Sequence, residues 1–289
     1  MFKITFKIIK NTTLLFLLFI NLTACSYSPA SLKESYNDLA SDIAKQLKEP
    51  LNPSVQQSAM IDDYAQQVLQ WHRRNKLPEY SQNLATLATL VTQENIPLPQ
   101  LESAMNEVDD MPHFEQATHL TYKMLAVAKS LSEAQITSLE RSINNEYQQE
   151  FLEVKQHKHT NEVNNMIKTL FRFIGINLNS EQLKTVQQAA NKLHDTRPYE
   201  LQAEKQWNKQ MIALLRRKNN PHFEARFTQL WNTQDAKLTG KALQLEQHNN
   251  KLMAEVMKRL IMSFEPEQKD NLSRQLTSMS RTFSEMANE

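Results

Sequence analysis

Apolar residues recur at steps of three and four along most of the chain, which is the period of an α-helix. Between positions 53 and 76, Tyr64, Val68 and Trp71 follow this spacing. Between positions 266 and 287 the same spacing links Leu272, Leu276, Met279, Phe283 and Met286. Such stripes predict helices that bury one face and leave the other in solvent.

Prolines and polar runs divide this pattern into successive helices. The predicted helices cover about 31–48, 53–76, 79–94, 99–110, 114–129, 180–194, 199–218, 221–231, 236–263 and 266–287. Leu77-Pro78 and Met111-Pro112 mark interruptions, because the residue before a proline avoids the helical conformation. Asn52-Pro53 instead predicts a helix start, with a cap followed by proline in the first turn.

The segment from 132 to 174 contains neither proline nor glycine. Its apolar stripe stops at the polar run KQHKHTNE, residues 155–162, and then resumes. We predict one long exposed helix that continues through this run, and the alternative is a helix that bends at the polar run.

The glycine content sets the fold class. Only Gly175 and Gly240 occur in 289 residues, whereas the turns and bulges of a sheet protein of this size would need many more. We therefore predict an all-α fold, either an elongated multi-helix bundle or an array of helical hairpins. The predicted parts are a signal peptide at 1–24, a tether with a first polar helix at 25–50, and helical halves at 51–160 and 161–289.

Three stretches share one pattern: LSEAQ at 131–135, LNSEQ at 178–182 and FEPEQ at 264–268. In a capping box, a Ser or Asn side chain accepts a hydrogen bond from the third helical residue, and a Gln there bonds back to the cap. Ser132 with Gln135 and Asn179 with Gln182 fit this pattern, and Gln268 follows a proline at the first helical position. We therefore interpret the stretches as helix starts. Their spacing also suggests a hairpin repeat with a degenerate copy near 221–229.

The amino terminus carries a secretory signal. Three lysines precede the apolar run TTLLFLLFI at 12–20, which is far shorter than the ~20 residues that cross a bilayer. LTAC at 22–25 resembles the lipobox of bacterial lipoproteins. The resemblance implies cleavage before Cys25 and its acylation by chains such as palmitate, and several chains together give stable anchoring. Ser26 at the next position points to the outer membrane, with the protein facing the periplasm.

Cys25 is the only cysteine, so acylation leaves no thiol for a disulfide, a nucleophile or a metal site. Removing Lys3, Lys7 and Lys10 with the signal peptide leaves 30 of the 33 basic residues against 32 acidic ones. This near balance argues against nucleic acid as a partner.

Two resemblances extend the interpretation. The stretches above are similar to the Leu-Thr-x-x-Gln signature of Spy-type periplasmic chaperones, which implies helical cradles that bind unfolded clients without ATP. DDY at 62–64 and WHRRNKLPEY at 71–80, with LSEAQITSLE at 131–140, FIGINLNSEQ at 173–182 and the helix after FEPEQ, resemble an uncharacterised family of proteobacterial lipoproteins. The second resemblance covers about 55–285 and implies an envelope location, but no catalytic residue.

The segment 71–80 is the main candidate interaction site. Cations in the last turn of a helix either stabilise its negative end or bind an acidic partner, a phosphate or an anionic headgroup. The residues in question are Trp71, His72, Arg73, Arg74, Lys76 and Tyr80. We favour the stabilising role, with Trp71 as a core residue.

Other candidates are weaker. His157 and His159 lie two positions apart, so on a helix they point in different directions and make a poor metal pair. His194-Asp195 with Arg197 is the nearest approach to an acid–base cluster, but we favour a simple helix terminus as its explanation. No metal-binding, nucleophile-elbow or phosphate-loop motif occurs. We therefore expect no metal, no cofactor beyond the lipid on Cys25, and no catalysis.

The function that we expect is a lipid-anchored periplasmic protein that binds envelope proteins or unfolded clients, as a chaperone or a scaffold. A structural subunit of a transport or cell-wall assembly is the alternative, with residues 71–80 as its docking point. An enzyme acting on lipid or peptidoglycan is a third, less favoured class.

Overall fold

A computed structural model describes residues 28–109, 114, 117–156, 159–233 and 238–289. These residues form α-helices and a short 3₁₀ turn at Thr118–Leu120, with no strand among them, which confirms the all-α fold class. The helices are α1 Pro29–Lys48, α2 Val55–Asn75, α3 Leu77–Leu90, α4 Leu98–Asp109, α5 Thr121–Ser130, α6 Glu133–Gln156, α7 His159–Phe173, α8 Ser180–Ala190, α9 Arg197–Leu215, α10 Phe223–Trp231, α11 Gly240–Met262 and α12 Pro266–Ala287.

Several predicted features lie outside the described residues. They are the signal peptide at 1–24, Cys25, Met111-Pro112 and His157. No helix in the described ranges combines the length and the apolar character needed to span a membrane.

The first helix is a core element and not the polar helix that we predicted. α1 buries Leu32, Tyr36, Leu39, Ala40, Ile43, Ala44 and Leu47. Its apolar residues follow the helical period closely enough to form a continuous face, which packs on α2 and α12.

The predicted start of α2 at Asn52-Pro53 was also wrong. Ser54 is the cap, and its side chain accepts a hydrogen bond from the backbone N–H of Gln57. Asn52 adopts a left-handed conformation with φ 44°, which asparagine tolerates better than most residues. The chain therefore turns at Asn52 before the helix begins.

The predicted central helix corresponds to α6 and α7. Residues 157–158 between them lie outside the described residues. α6 packs mainly on α9, and α7 packs on α8.

The packing order repeats along the chain. In the first six helices, α1 packs on α2 and α2 packs on α5. In the last six, α7 packs on α8 and α8 packs on α11 in the same way. The helix packing therefore repeats within the chain, and we call α1–α6 the first copy and α7–α12 the second copy.

The two copies are intertwined. α3 and α4 of the first copy pack on α12 and α11 of the second, while α9 and α10 of the second copy pack on α6 and α5 of the first. One apolar cluster runs through both copies, from Leu32 to Met286. The copies thus share one core and resemble a dimer with exchanged segments that is joined into a single chain.

Candidate functional site

Pairs of glutamine side chains hold each copy together. Gln57 Nε2 donates to Gln135 Oε1 at 3.2 Å, and Gln135 Nε2 donates to Gln57 Oε1 at 2.7 Å. In the second copy the same reciprocal bonds join Gln182 and Gln268, at 3.0 and 3.2 Å. We call these two pairs the glutamine locks. Each lock joins the first turns of two helices that are distant in sequence.

Each lock uses nearly the full bonding capacity of its amides. The Oε1 atoms also accept from the backbone N–H of the cap residues Ser54, Ser132, Asn179 and Glu265, at 2.9 to 3.0 Å. The Nε2 atoms of Gln57 and Gln182 donate to the carbonyls of Ser130 and Ser263, each at 3.1 Å. Because an amide has two donor hydrogens and two acceptor lone pairs, no other side chain of this size satisfies all these groups.

The sequence interpretation found three of the four lock residues and missed Gln57. The degenerate copy that we placed near 221–229 is in fact the stretch Ser54–Gln57, where the cap lies three residues before the glutamine as in the other copies. Asn52-Pro53, just before this stretch, is a competing helix-start signal in the sequence. Residues 223–231 instead form α10 and have no capping bond from His222.

Residues 71–80 contain a buried polar network rather than a continuous cationic surface. His72 is 2% exposed. Its Nδ1 lies 2.9 Å from the hydroxyl of Tyr36, and its Nε2 lies 3.2 Å from that of Tyr80. Because a neutral imidazole has one donor and one acceptor nitrogen, one tyrosine donates to the ring and the other accepts from it. Burial raises the pKa of Tyr36 above its usual range, which keeps this hydroxyl protonated.

The remaining residues of the segment divide between core and surface. Lys76 is buried and donates to Glu79 at 2.7 Å. Arg73 donates to Asn37 at 2.6 Å, and its guanidinium lies 5.4 Å from the centre of the Tyr36 ring. Arg74 is exposed, and Trp71 is half-buried against the core. The segment therefore joins α1, α2 and α3, and it presents only Arg73 and Arg74 as cations near the surface.

The cluster around Asp195 joins α7 to the start of α9. Arg197 Nε and Nη2 donate to the two oxygens of Asp195 at 2.8 and 2.7 Å, and Arg197 also pairs with Glu162. Burial works to raise the pKa of Asp195, but the hydrogen bonds and charge of Arg197 outweigh it and lower that pKa. His159 Nδ1 lies 3.9 Å from Asp195.

The neighbouring His194 is held through its backbone, which exchanges two hydrogen bonds with the Asn249 side chain at 2.9 and 2.8 Å. The two clusters together fix the loop between α8 and α9. Among the described ranges, no group of three or more His, Cys, Asp or Glu side chains is arranged to hold a metal ion.

The carboxyl-terminal half of α6 carries two half-buried aromatic side chains and one exposed leucine. α6 fully buries only Ile136 and Leu139, near its start. Further along, the rings of Tyr147 and Phe151 stack with centroids 6.0 Å apart, and Leu152 is 51% exposed. The ammonium groups of Lys205 and Lys155 lie 4.0 and 4.4 Å from the centres of these two rings. The stacked rings therefore already bind cations by cation–π contacts.

A family model described as a family of unknown function, DUF6279, matches residues 51–241. The chain belongs to this family. No curated protein matches the chain, and no solved structure matches it.

The DUF6279 match includes Gln57, Gln135 and Gln182 but ends before Gln268 and α12. It also begins after α1. Yet α1 and α12 pack on each other and on the matched helices, so the folded unit of this DUF6279 protein extends beyond the matched residues at both ends.

Proposed function

We propose that the protein is a periplasmic lipoprotein, anchored in the outer membrane through acylated Cys25, that binds other proteins without catalysis. It acts as a chaperone-like or scaffolding factor. The lipobox-like LTAC at 22–25 supports the anchor. The similarity of the lock stretches to the Spy-type signature supports a chaperone-like role.

The observation on which the proposal rests is the second half of α6, where Leu152 is 51% exposed and Tyr147 and Phe151 are half-buried. Tyr147, Phe151 and Leu152 lie on a helix whose second half contributes no fully buried side chain. Aromatic and large aliphatic side chains at the surface are the usual anchors of protein–protein contacts. The glutamine locks and the shared core supply a rigid frame for this face.

A structural subunit that docks through residues 71–80 is less well supported. His72, Lys76 and Tyr80 are buried, so only the two arginines and the half-buried Trp71 remain for a partner. The Arg73→Glu, Arg74→Glu double variant separates the alternatives, because it changes docking through this segment and leaves the α6 face intact.

The test uses the purified full-length chain in detergent and a client enzyme diluted from guanidinium. We expect the chain to delay aggregation of the client, and we expect Leu152→Ser with Phe151→Ser to lose most of this effect. The matched control is Val55→Ser, which changes an apolar residue that is 90% exposed on α2. The proposal fails if the wild-type chain neither delays aggregation nor captures an envelope protein in crosslinked cells.

A further inference from the structure

The chain between Cys25 and the first described helix is short. Cys25 precedes the cap residue Ser28 by three positions, and α1 begins at Pro29. Because an extended chain spans at most ~3.6 Å per residue, the Cα atoms of Cys25 and Ser28 are separated by no more than about 11 Å. Acyl chains on Cys25 would therefore hold the start of α1 beside the headgroups of the membrane.

Contacts within the fold show which other elements lie beside the start of α1. Lys33, in the first two turns of α1, pairs with Glu285 and Glu289 at the end of α12, each at 3.1 Å. Arg73, near the end of α2, donates to Asn37 of α1 at 2.6 Å. α3 begins directly after α2. We call residues 28–37, 72–80 and 284–289 together the anchor end.

The end of α2 points toward the start of α1. The two helices run antiparallel, since Tyr36 contacts His72 while Lys48 pairs with Asp62. Tyr36 is seven residues beyond Pro29, so the level of His72 is about 10 Å from the start of α1 at 1.5 Å per residue. The two arginines that follow His72 therefore lie at the same end of the bundle as the tether.

Three carboxylates of the anchor end have lysine partners. Glu285 and Glu289 share Lys33, and Glu79 accepts from Lys76 at 2.7 Å. The negative charges of these three groups are therefore offset within the protein.

The arginines of the anchor end have no such partner. Arg73 contacts the neutral amide of Asn37 and the ring of Tyr36, neither of which is an anion. Arg74 is exposed and has no hydrogen-bond or ion-pair partner among the described residues. Glu34 on α1 is exposed as well. The anchor end thus presents groups of both signs, as a phospholipid headgroup with a phosphate and an ammonium group does.

We propose that the anchor end lies on the phospholipid surface and that Arg73 and Arg74 bind headgroup phosphates there. The contact rests on the acylated Cys25 of the proposed function and adds a second attachment to the membrane. A guanidinium suits this role, because its planar N–H groups donate two parallel hydrogen bonds to one phosphate. The two arginines fix the orientation of the bundle, which a lipid on a short tether alone leaves free to tilt.

This orientation turns the second half of α6 away from the membrane. Glu49 follows α1 directly, so it lies about 30 Å from the start of that helix at 1.5 Å per residue. Burial first, and then the charges of three carboxylates including Glu49, raise the pKa of Glu146 to about 8. The middle of α6 is therefore close to the far end of α1, and Leu152 is accessible to proteins in the periplasm.

The test of orientation uses the acylated full-length chain in vesicles of phosphatidylethanolamine and phosphatidylglycerol that contain a lipid with a spin-labelled headgroup. A fluorophore is attached to Asn75→Cys at the anchor end or, as the matched control, to Glu49→Cys at the other end of α1. Both positions are exposed. We expect the spin label to quench the fluorophore at 75 about threefold more than that at 49, because about 30 Å of helix separates the two levels.

The test of the phosphate contact adds substitutions to the Asn75→Cys chain. Arg73→Gln with Arg74→Gln is expected to reduce quenching about twofold, because the phosphates lose both guanidinium partners. Arg74→Gln alone changes no described contact within the fold and should reduce quenching in the same direction. The matched control is Arg172→Gln with Arg226→Gln, which removes two charges at exposed positions and should leave quenching unchanged.

Two results would overturn the inference. Quenching at 49 that equals or exceeds that at 75 would refute the orientation, and equal quenching in the two double variants would refute the phosphate contact. Both measurements start from protein whose acylation at Cys25 is verified by mass spectrometry. A bare Cys25 or a failed client assay would instead refute the proposed function, so the two failures are distinguishable.

Discussion

The side-chain amides of Gln57 and Gln135 hydrogen-bond to each other in both directions, at 3.2 and 2.7 Å, although 78 residues separate them. The pair repeats between Gln182 and Gln268 across 86 residues. A capping box normally joins residues of one helix start only. Here the glutamine side chain of each capping box also hydrogen-bonds to the glutamine of a second capping box. Local capping chemistry and long-range packing therefore depend on the same atoms.

Truncating a lock residue is expected to destabilise the whole chain. Gln57→Ala removes both hydrogen bonds between the two amides and takes the side-chain partner from the carbonyl of Ser130 and the N–H of Ser54, and each unsatisfied group costs about 1 kcal/mol or more. We expect a loss of about 2–4 kcal/mol in urea unfolding. Gln56→Ala, at an exposed neighbouring position, is the matched control and should change stability by less than about 0.5 kcal/mol. Equal losses in the two variants would refute the role of the lock.

The His72 network is expected to show non-additive energetics. His72→Phe keeps an aromatic ring in the core but removes the imidazole nitrogens that hydrogen-bond to the hydroxyls of Tyr36 and Tyr80. We expect a loss of about 2–3 kcal/mol in the free energy of unfolding. Adding Tyr36→Phe and Tyr80→Phe removes both hydroxyls and should recover part of that loss, because replacing all partners by apolar groups is nearly neutral. Thermal or urea unfolding of the wild type, His72→Phe, the Tyr36→Phe, Tyr80→Phe double variant and the triple variant measures the coupling. Simple additivity of the losses would contradict the network.

Glu146 is expected to make stability depend on pH. Its pKa is 4.5 as a free side chain and about 8 in the folded protein. The folded state therefore retains a proton that the unfolded state releases, and stability falls as pH rises from about 4.5 to 8.

Glu146→Met, which replaces the carboxyl group by an apolar side chain, removes this loss. The free energy of unfolding of the variant is expected to exceed that of the wild type by a growing amount as pH rises through this range. Above this pH range the difference should be about 1–2 kcal/mol, once solvent screening of the half-buried group is included. Urea unfolding at pH 4.5, 7 and 9 measures the gain. Glu181→Met, whose side chain is 84% exposed, serves as the comparison. A gain that is the same at all three pH values would exclude the burial and neighbouring carboxylates as its cause.

The proposed lipid anchor predicts that replacing Cys25 removes the protein from the outer-membrane fraction. Cys25→Ala removes the only thiol and with it the acylation site, so the protein should leave the outer-membrane fraction while its circular dichroism stays helical. Mass spectrometry of the wild-type amino terminus should find the acyl chains. A wild-type protein with an unmodified Cys25 in its native host would contradict the anchor.

Much of the architecture was predictable because its signals are local. Two glycines and the three-and-four spacing of apolar residues predicted an all-α chain, and α12 begins and ends where that spacing does. Boundaries shifted by a few residues where a local signal was ambiguous, as at Asn52-Pro53. The lock glutamines at 135, 182 and 268 were identified as parts of helix starts because a capping box is defined by four consecutive residues.

The candidate site was not predictable in the same way. Glu146, Glu150 and Glu153 look in the sequence like the solvated side of an ordinary amphipathic helix. The raised pKa of Glu146 depends on burial in the fold and on the charge of Glu204, which lies on α9 and is distant in sequence. The buried state of His72 likewise depends on Tyr36 from α1, which sequence spacing alone does not place beside it.

The sequence by itself determined the helices and their capped starts, because these depend on neighbours within one or two turns. The tertiary structure decided which helices exchange partners between the copies, how the glutamines pair, and which carboxylates face another helix. Those outcomes depend on residues tens of positions apart, whose contacts form only when the chain closes into one shared core.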